Sequence, residues 1–551
     1  MVLTAFAAAT PGQTPPDAGA LQQRIESDRG VPLPAPVPPD RAAMPAEMRP
    51  SGVSVEVRQF RFVGNTLLPV ERLNAVVAEY LGRPLGFAQL QDAATAVATV
   101  YRDAGWVVRA YLPQQDIRDG IVTIQIVEAV FGGVRLDGDP PRRVSLESVL
   151  APFHAVQPMG AQVNAEMLDR ALLLADDQPG VTVTGALQAG ANEGETVLVV
   201  KLADEPLLSG DVAMDNTGAR STGEQRLVGT VVLGSPFGLG DQLVTHLIHS
   251  QGSDYGRVAW TLPLGADGWR AGINASQLDY DLVAPEFRAL AGWGDSSSMG
   301  LEASYPLVRS RLKNLFFNLA YDRRSFFNMA GGTTSSAYEI DALTLSLAGN
   351  LFDRWGGGGA NSASLSLVSG RLDRDGSPNR AADATTTRTH GSYGKLRYAF
   401  ARQQVITSEV SLFAAYSGQL ANDNLDSSEK FYLGGAHGVR AYPANEGGGA
   451  HGQMLNLEAR WKVSNQFTAT VFHDWGEVTQ NTHNDFVGAP VPNTFRLRGH
   501  GLSLAWQTPS AHIKAVWARR GGGNPNPATN GRDQDGSYDL NRWWLIASLP
   551  F

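Results

Sequence analysis

Cysteine is absent from this 551-residue chain. That excludes disulfides, thiolate metal sites and cysteine nucleophiles, and it fits a chain that passes through an oxidising compartment without staples. Long apolar runs are missing too: none approaches the ~20 residues that a membrane-spanning helix needs. Charge is scarce, at 18% of residues, below the roughly 25% usual for soluble chains. The balance is acidic, net −9, with no Lys/Arg-rich run, which argues against a nucleic-acid partner. No G-x-S-x-G elbow occurs, and "RWGGGGA" from Arg354 lacks a following helix with a phosphate-binding lysine, so it reads as a turn. His246 and His249, three apart on a strand, point to opposite faces. No catalytic residue, cofactor or metal site is expected.

What is present is glycine, 60 residues of it, and a change of texture along the chain. "MVLTAFAAAT" has the apolar middle and Ala-rich end of a secretory signal without its basic leader. Residues 1–15 are read as a signal remnant or a disordered terminus. Residues 16–30 form one short helix, with Asp17 as N-cap, Leu21 and Ile25 four apart, and Gly30 as its end. Two apolar residues are too few for a core, so this helix must dock elsewhere or stay loose. The Pro-rich stretch 31–54 is an extended spacer. Residues 55–128 read as strand, two helices and two strands, and residues 129–205 repeat that order. Two like modules in tandem are an internal repeat of small α+β domains.

From 206 to 551 the helices stop and strand-like segments follow. In "MLNLEARWKV", Leu455, Leu457, Ala459, Trp461 and Val463 share one face, opposite Asn456, Glu458, Arg460 and Lys462. A soluble sandwich alternates in the same way, and a soluble β-rich binding protein is one reading of the pattern. The connections favour another. About sixteen segments are joined by alternately short links ("SPFGLGD", "LGADG", "VRSR", "RQQ", "VSNQ", "TPSA") and long ones, the connectivity of an outer-membrane barrel. About 21 residues per strand and link suit spans of 9–11 residues. The last segment, "RWWLIASLPF", alternates and ends on Phe551, as a barrel-closing strand would.

Two β-α-α-β-β modules before such a barrel resemble the outer-membrane transporters of two-partner secretion, within the Omp85 superfamily, which include haemolysin and filamentous haemagglutinin secretion proteins. The modules resemble POTRA domains, and "FRFVGNTLL" resembles the opening strand of the first, with Phe60, Phe62, Gly64 and Asn65 as its motif. "DNTGARSTGEQRL" and "GLGDQL" resemble the first barrel hairpin. The short helix, with Leu21, Arg24 and Ile25, resembles the family's N-terminal plug. "VRAY", carrying Val439, Arg440 and Tyr442, resembles the Val-Arg-Gly-Tyr signature of the sixth outer loop, with Ala441 where the family has glycine. "FHDWG", with Phe472, Asp474 and Gly476, resembles the matching Phe-x-Asp-x-Gly motif of the barrel wall.

The resemblance implies a fold that is mainly β, a 16-stranded transmembrane antiparallel barrel in the bacterial outer membrane with two periplasmic POTRA domains and a plug helix. It implies secretion of a partner, a large β-helical exoprotein of haemolysin or adhesin type, unfolded in transit. Outer-membrane lipid would surround the barrel, and the barrel assembly machinery would read the strand ending at Phe551. An assembly or insertion factor for other barrels is the alternative; such relatives usually carry more modules. Strand alternation gives the two motifs a reason to meet. If Val471 and Trp475 face lipid, Asp474 faces the lumen, where a fork-shaped guanidinium binds a carboxylate through two parallel hydrogen bonds. Arg440 is expected to latch the folded-back loop there.

Overall fold

The computed structural model describes residues 15–29, 33–36 and 54–551. The signal-like stretch, Gly30 and most of the Pro-rich spacer lie outside the described residues. The N-terminal helix runs over Ala18–Asp28, and its cap Asp17 accepts a hydrogen bond from Ala20 N at 2.9 Å.

Both modules carry the element order read from the sequence. In the first, strands Gln59–Val63, Ile121–Glu128 and Val108–Tyr111 form one sheet in that order, under helices Val70–Val77 and Phe87–Asp103. A further two-stranded ribbon, Ser54–Glu56 with Pro84–Gly86, was not foreseen. The helices bury Leu73, Val97 and Tyr101 on Phe60 and Ile124. Gly64, at φ +88°, turns the chain out of its strand, a backbone that side chains resist, and Asn65 Nδ2 donates to Leu68 O at 3.4 Å. In the second module, helices Leu146–Val156 and Ala165–Asp176 are capped by Ser145 and Asn164. They cover the sheet Val130–Leu136, Glu195–Asp204, Val181–Ala189.

Sixteen antiparallel strands close into one barrel, from Leu208–Asp215 to Asn541–Pro550. Apolar side chains of alternate residues stay exposed on its outer face, among them Leu457, Trp461, Val471, Leu502 and Trp543. Their strand neighbours turn inward and are buried, as Asp474, Ser503 and Trp544 are. The last strand pairs with the first from Ile546↔Asp215 to Pro550↔Asp211. Phe551 extends the seam, its N and O bonded to Gly210 O and N at 2.9 and 3.0 Å. Closure leaves the barrel sheet without an open edge.

Three local expectations change. "RQQ" is not a link: the strand Gly391–Val405 carries it, and the turn follows at residues 406–409. Polar residues continue on strands beyond the apolar belt, so polarity alone ended that strand too early. Two outer connections are tight turns, at residues 251–252 and 331–332. The barrel region also has one short α-helix, Arg380–Thr385, in the fifth outer loop, and three single 3₁₀ turns.

The second module sits against the periplasmic turns. Arg309 forks onto Asp177 with both bonds at 2.7 Å, Arg311 Nε reaches Asp169 at 2.6 Å, and Arg170 Nη2 donates to Pro306 O at 2.8 Å.

Candidate functional site

The N-terminal helix lies inside the barrel. Ala18, Leu21 and Ile25 pack in one buried cluster with wall residues Leu278, Ile340 and Leu372. A Cβ at Gly19 would stand 2.5 Å from Tyr338 Oη, so the helix fits closest at that point. Arg24 Nη2 donates to Thr217 O at 2.5 Å. Asp17 accepts from Ser427 Oγ at 2.7 Å, which ties the helix start to the sixth outer loop. That loop segment is itself held to the wall, where Tyr338 Oη donates to Asp426 at 2.8 Å and Arg324 meets Glu429 at 2.6 Å.

The sixth outer loop, residues 422–450, folds back into the lumen and brings its motif to the wall. Arg440 donates to Asp474 three times: Nη2 to Oδ1 at 2.7 Å, Nε to Oδ2 at 2.9 Å, and its backbone N to Oδ2 at 3.0 Å. Asp474, on the thirteenth strand Phe467–Thr479, is 0% exposed and Arg440 5%. The guanidinium carbon stands 3.5 Å from the centre of the Phe472 ring, a cation over an aromatic face. Asn456 Nδ2 fills the remaining Asp474 valence at 2.8 Å.

By strand alternation Glu458 shares its face with Arg460 and Lys462, the cations nearest to it in the sequence. The structure makes it the second acid on Arg440, 2.7 Å from Nη1, while its other oxygen keeps Arg460 at 2.7 Å. The loop backbone is pinned too: Trp544 Nε1 donates to Arg440 O at 2.8 Å, and Arg520 Nε to Ala441 O at 3.2 Å. Val439 and Tyr442 are buried with Leu433, Phe472 and Trp544. Arg520 lies over the Tyr442 ring at 4.5 Å and pairs with Asp533. Gly476 lies beneath Leu433, where a Cβ would sit 2.6 Å from its Cδ2.

Ala441 does not need the left-handed backbone that a family glycine permits, because its φ is not positive. Its methyl faces Gly499 of the neighbouring strand, where a Cβ would come within 2.6 Å. The glycine that makes room here is on the wall, not in the loop.

The predicted residues thus fall in three places. Arg440, Asp474, Val439, Tyr442, Phe472 and Gly476 meet in the lumen, and Leu21, Arg24 and Ile25 line the docked helix. Phe60, Phe62, Gly64 and Asn65 lie apart from both, in the first module.

A closed barrel with an apolar outer face and a helix in its lumen, behind two modules, is the architecture of an outer-membrane transporter, and comparison with known proteins agrees. The family model for the haemolysin secretion/activation proteins ShlB/FhaC/HecB matches residues 194–495, and that for the ShlB-type POTRA domain matches residues 55–129. The chain belongs to the ShlB/FhaC/HecB family. It is therefore a two-partner secretion transporter of the outer membrane, with its POTRA domains in the periplasm. Its relatives include the heme/hemopexin transporter protein HuxB of Haemophilus influenzae, 24% identical over 82% of each chain. The outer membrane transporter CdiB of Dickeya dadantii is 23% identical over 77% of this chain and 75% of its own. The solved structure of CdiB from Escherichia coli superposes with a TM-score of 0.68 at 19% identity, covering 96% of this chain and 95% of that one. That likeness speaks for the fold alone.

Proposed function

We propose that the chain passes a large β-helical exoprotein, unfolded, from periplasm to cell surface without ATP. The observation that carries this reading is a closed barrel with two segments of its own chain folded into the lumen, the N-terminal helix and the sixth outer loop. The docked helix and the sixth loop are held by apolar packing and discrete polar contacts, so both can be withdrawn without breaking the strand ladder of the barrel. The barrel wall would present lipid with its apolar face, and the strand ending at Phe551 would be the signal for the assembly machinery.

Recognition falls to the modules. The strand Val181–Ala189 is at a sheet edge, paired on one side only. Its Val183 N–H points away from the sheet, to Asp176 Oδ1 at 2.7 Å. By the two-residue period, Leu187 N–H points the same way. An extended client segment can add there as a further strand. HuxB is named as a heme/hemopexin transporter; for this chain we infer an adhesin- or haemolysin-like client.

The test is export of a large β-helical exoprotein co-expressed with this chain as its candidate client. Deleting residues 55–204 should leave a barrel with heat-modifiable gel mobility that exports nothing. Leu187→Pro, which removes one outward N–H and spares the ladder to Glu195–Asp204, should abolish client binding with the barrel intact. Normal export by the barrel alone would remove recognition from the modules. A general loss of other outer-membrane barrels on deleting the whole chain would favour an assembly factor.

A further inference from the structure

Above the Arg440 pair, the first, sixth and eighth outer loops meet around a cavity of about 290 Å³, closed on one side by the start of the N-terminal helix. Ser221, Asn445, Glu446 and Asp535 line it. Glu446 is 1% exposed, Asp535 8% and Ser221 1%. Among the described residues, both carboxylates accept hydrogen bonds only from neutral donors. Glu446 takes Asn524 Nδ2 at 2.8 Å and Gln534 N at 3.0 Å. Asp535 Oδ1 takes Ser537 N at 2.8 Å and Ser537 Oγ at 2.6 Å. Asp535 Oδ2, Ser221 Oγ and both amide atoms of Asn445 have no hydrogen-bond partner.

Two cations, Arg220 and Lys430, also line the cavity, and both lie toward other acids. Arg220 forks onto Glu286 at 2.8 and 2.9 Å and gives Asp535 only a bond to its backbone oxygen. Arg520 is paired with Asp533, and Lys430 faces Asp426 and Asp17. Asp533 and Asp535 add like charge around Glu446. A dry carboxylate served only by neutral hydrogen-bond donors is disfavoured, and Asp535 Oδ2 receives no donor at all.

We propose that this cavity binds a hydrated divalent cation of the Ca²⁺/Mg²⁺ class, with Glu446 and Asp535 as charged ligands and Ser221 Oγ and Asn445 Oδ1 as neutral ones. The donors are all oxygen, the set that hard divalent ions take. The cavity exceeds a bare ion and leaves room for the waters that such ions retain. A cation here joins three outer loops over the lumen and steadies the return limb of the sixth loop just beyond Arg440. It makes the closure of the outer mouth depend on the divalent ions of the medium.

The experiment uses the full-length protein, stripped with EDTA in detergent and titrated calorimetrically with CaCl₂ and MgCl₂ at pH 7.5. One saturable site is expected, and bound cation should slow proteolysis of the eighth outer loop. Asp535→Asn and Glu446→Gln should each weaken binding at least tenfold. Asp375→Asn, in the surface cluster Asp373, Asp375 and His390, should leave it unchanged. Heat-modifiable mobility checks each barrel, and Asp535→Ser replaces any variant that fails. No saturable binding, wild-type binding in both cavity variants, loss in Asp375→Asn, or equal competition by Na⁺ would overturn the proposal.

Discussion

Arg440→Ala removes the side chain on which the sixth-loop contact turns. The substitution keeps the backbone N–H bond to Asp474 but loses two side-chain bonds to that carboxylate, one to Glu458, and the stacking on Phe472. Hydrogen bonds to charged groups contribute roughly 1.5–3 kcal/mol each, but the losses do not add. Asn456 still serves Asp474, and Arg460 still holds Glu458. What remains is a fully buried carboxylate with neutral donors, and breaking one partner out of a dry pair costs roughly 3–5 kcal/mol. A lumen partly open to water would have predicted less. Because Asp474 is 0% exposed, the lower end of the dry range, about 3 kcal/mol, is the working figure. At about 1.4 kcal/mol per factor of ten, that shifts the opening equilibrium of the loop by about two orders of magnitude.

The chain contains no cysteine, so Val439→Cys at a buried site beside Arg440 is a clean reporter. Its labelling rate by a maleimide reads how often the loop tip leaves the wall. Arg440→Ala and Asp474→Ala should each raise that rate about a hundredfold, and the double variant no further, since either change breaks the same contact. Arg440→Lys should fall between, because an ammonium cannot make the fork. Glu458→Gln should do less, since the Asp474 fork survives it. Secretion of the partner should fall in the same order. Background labelling in Arg440→Ala, or a double variant equal to the product of the singles, would refute the latch.

The Arg440–Asp474 pair was legible because strand parity gives the face of Asp474 and the loop motif supplies its cation. Glu458 was not. Its role depends on register, Glu458 lying opposite Phe472 across two strands, and parity without register leaves local Arg460 and Lys462 as its obvious partners. The modules were legible for a different reason. Their helices carry local signals, caps and apolar periodicity, that need no distant partner. The ends of the barrel strands were not, since strands such as Thr333–Asp353 run past the apolar belt and lose the alternation of lipid against lumen. The outer-mouth acids were invisible in the sequence: Glu446 meets Asn524 and Gln534 only because two loops fold over the same opening.

Deleting residues 18–28 should raise single-channel conductance in planar bilayers while the barrel still forms; unchanged conductance would contradict a docked plug. Asp177→Ala should loosen the second module from the barrel by about 1 kcal/mol, the upper end for a pair with one solvent-exposed partner. Broadened spin-label distances between module and barrel, matched by Arg309→Ala and not worsened in the double variant, would register it. The last prediction concerns Glu446, whose carboxyl burial, then Asp533 and Asp535, push up to about 7 against the donors Asn524 and Gln534. Its folded value lies above its unfolded value of 4.5, so the folded loops favour the proton. That stabilisation is fully present below the unfolded value and is lost as pH rises through about 7. In EDTA, the sixth and eighth loops should therefore resist protease well at pH 5 and poorly at pH 8. Glu446→Gln, permanently neutral, should stay resistant at both and so corrects for the protease's own pH dependence. Equal pH slopes in the two proteins would show that Glu446 does not titrate with loop closure.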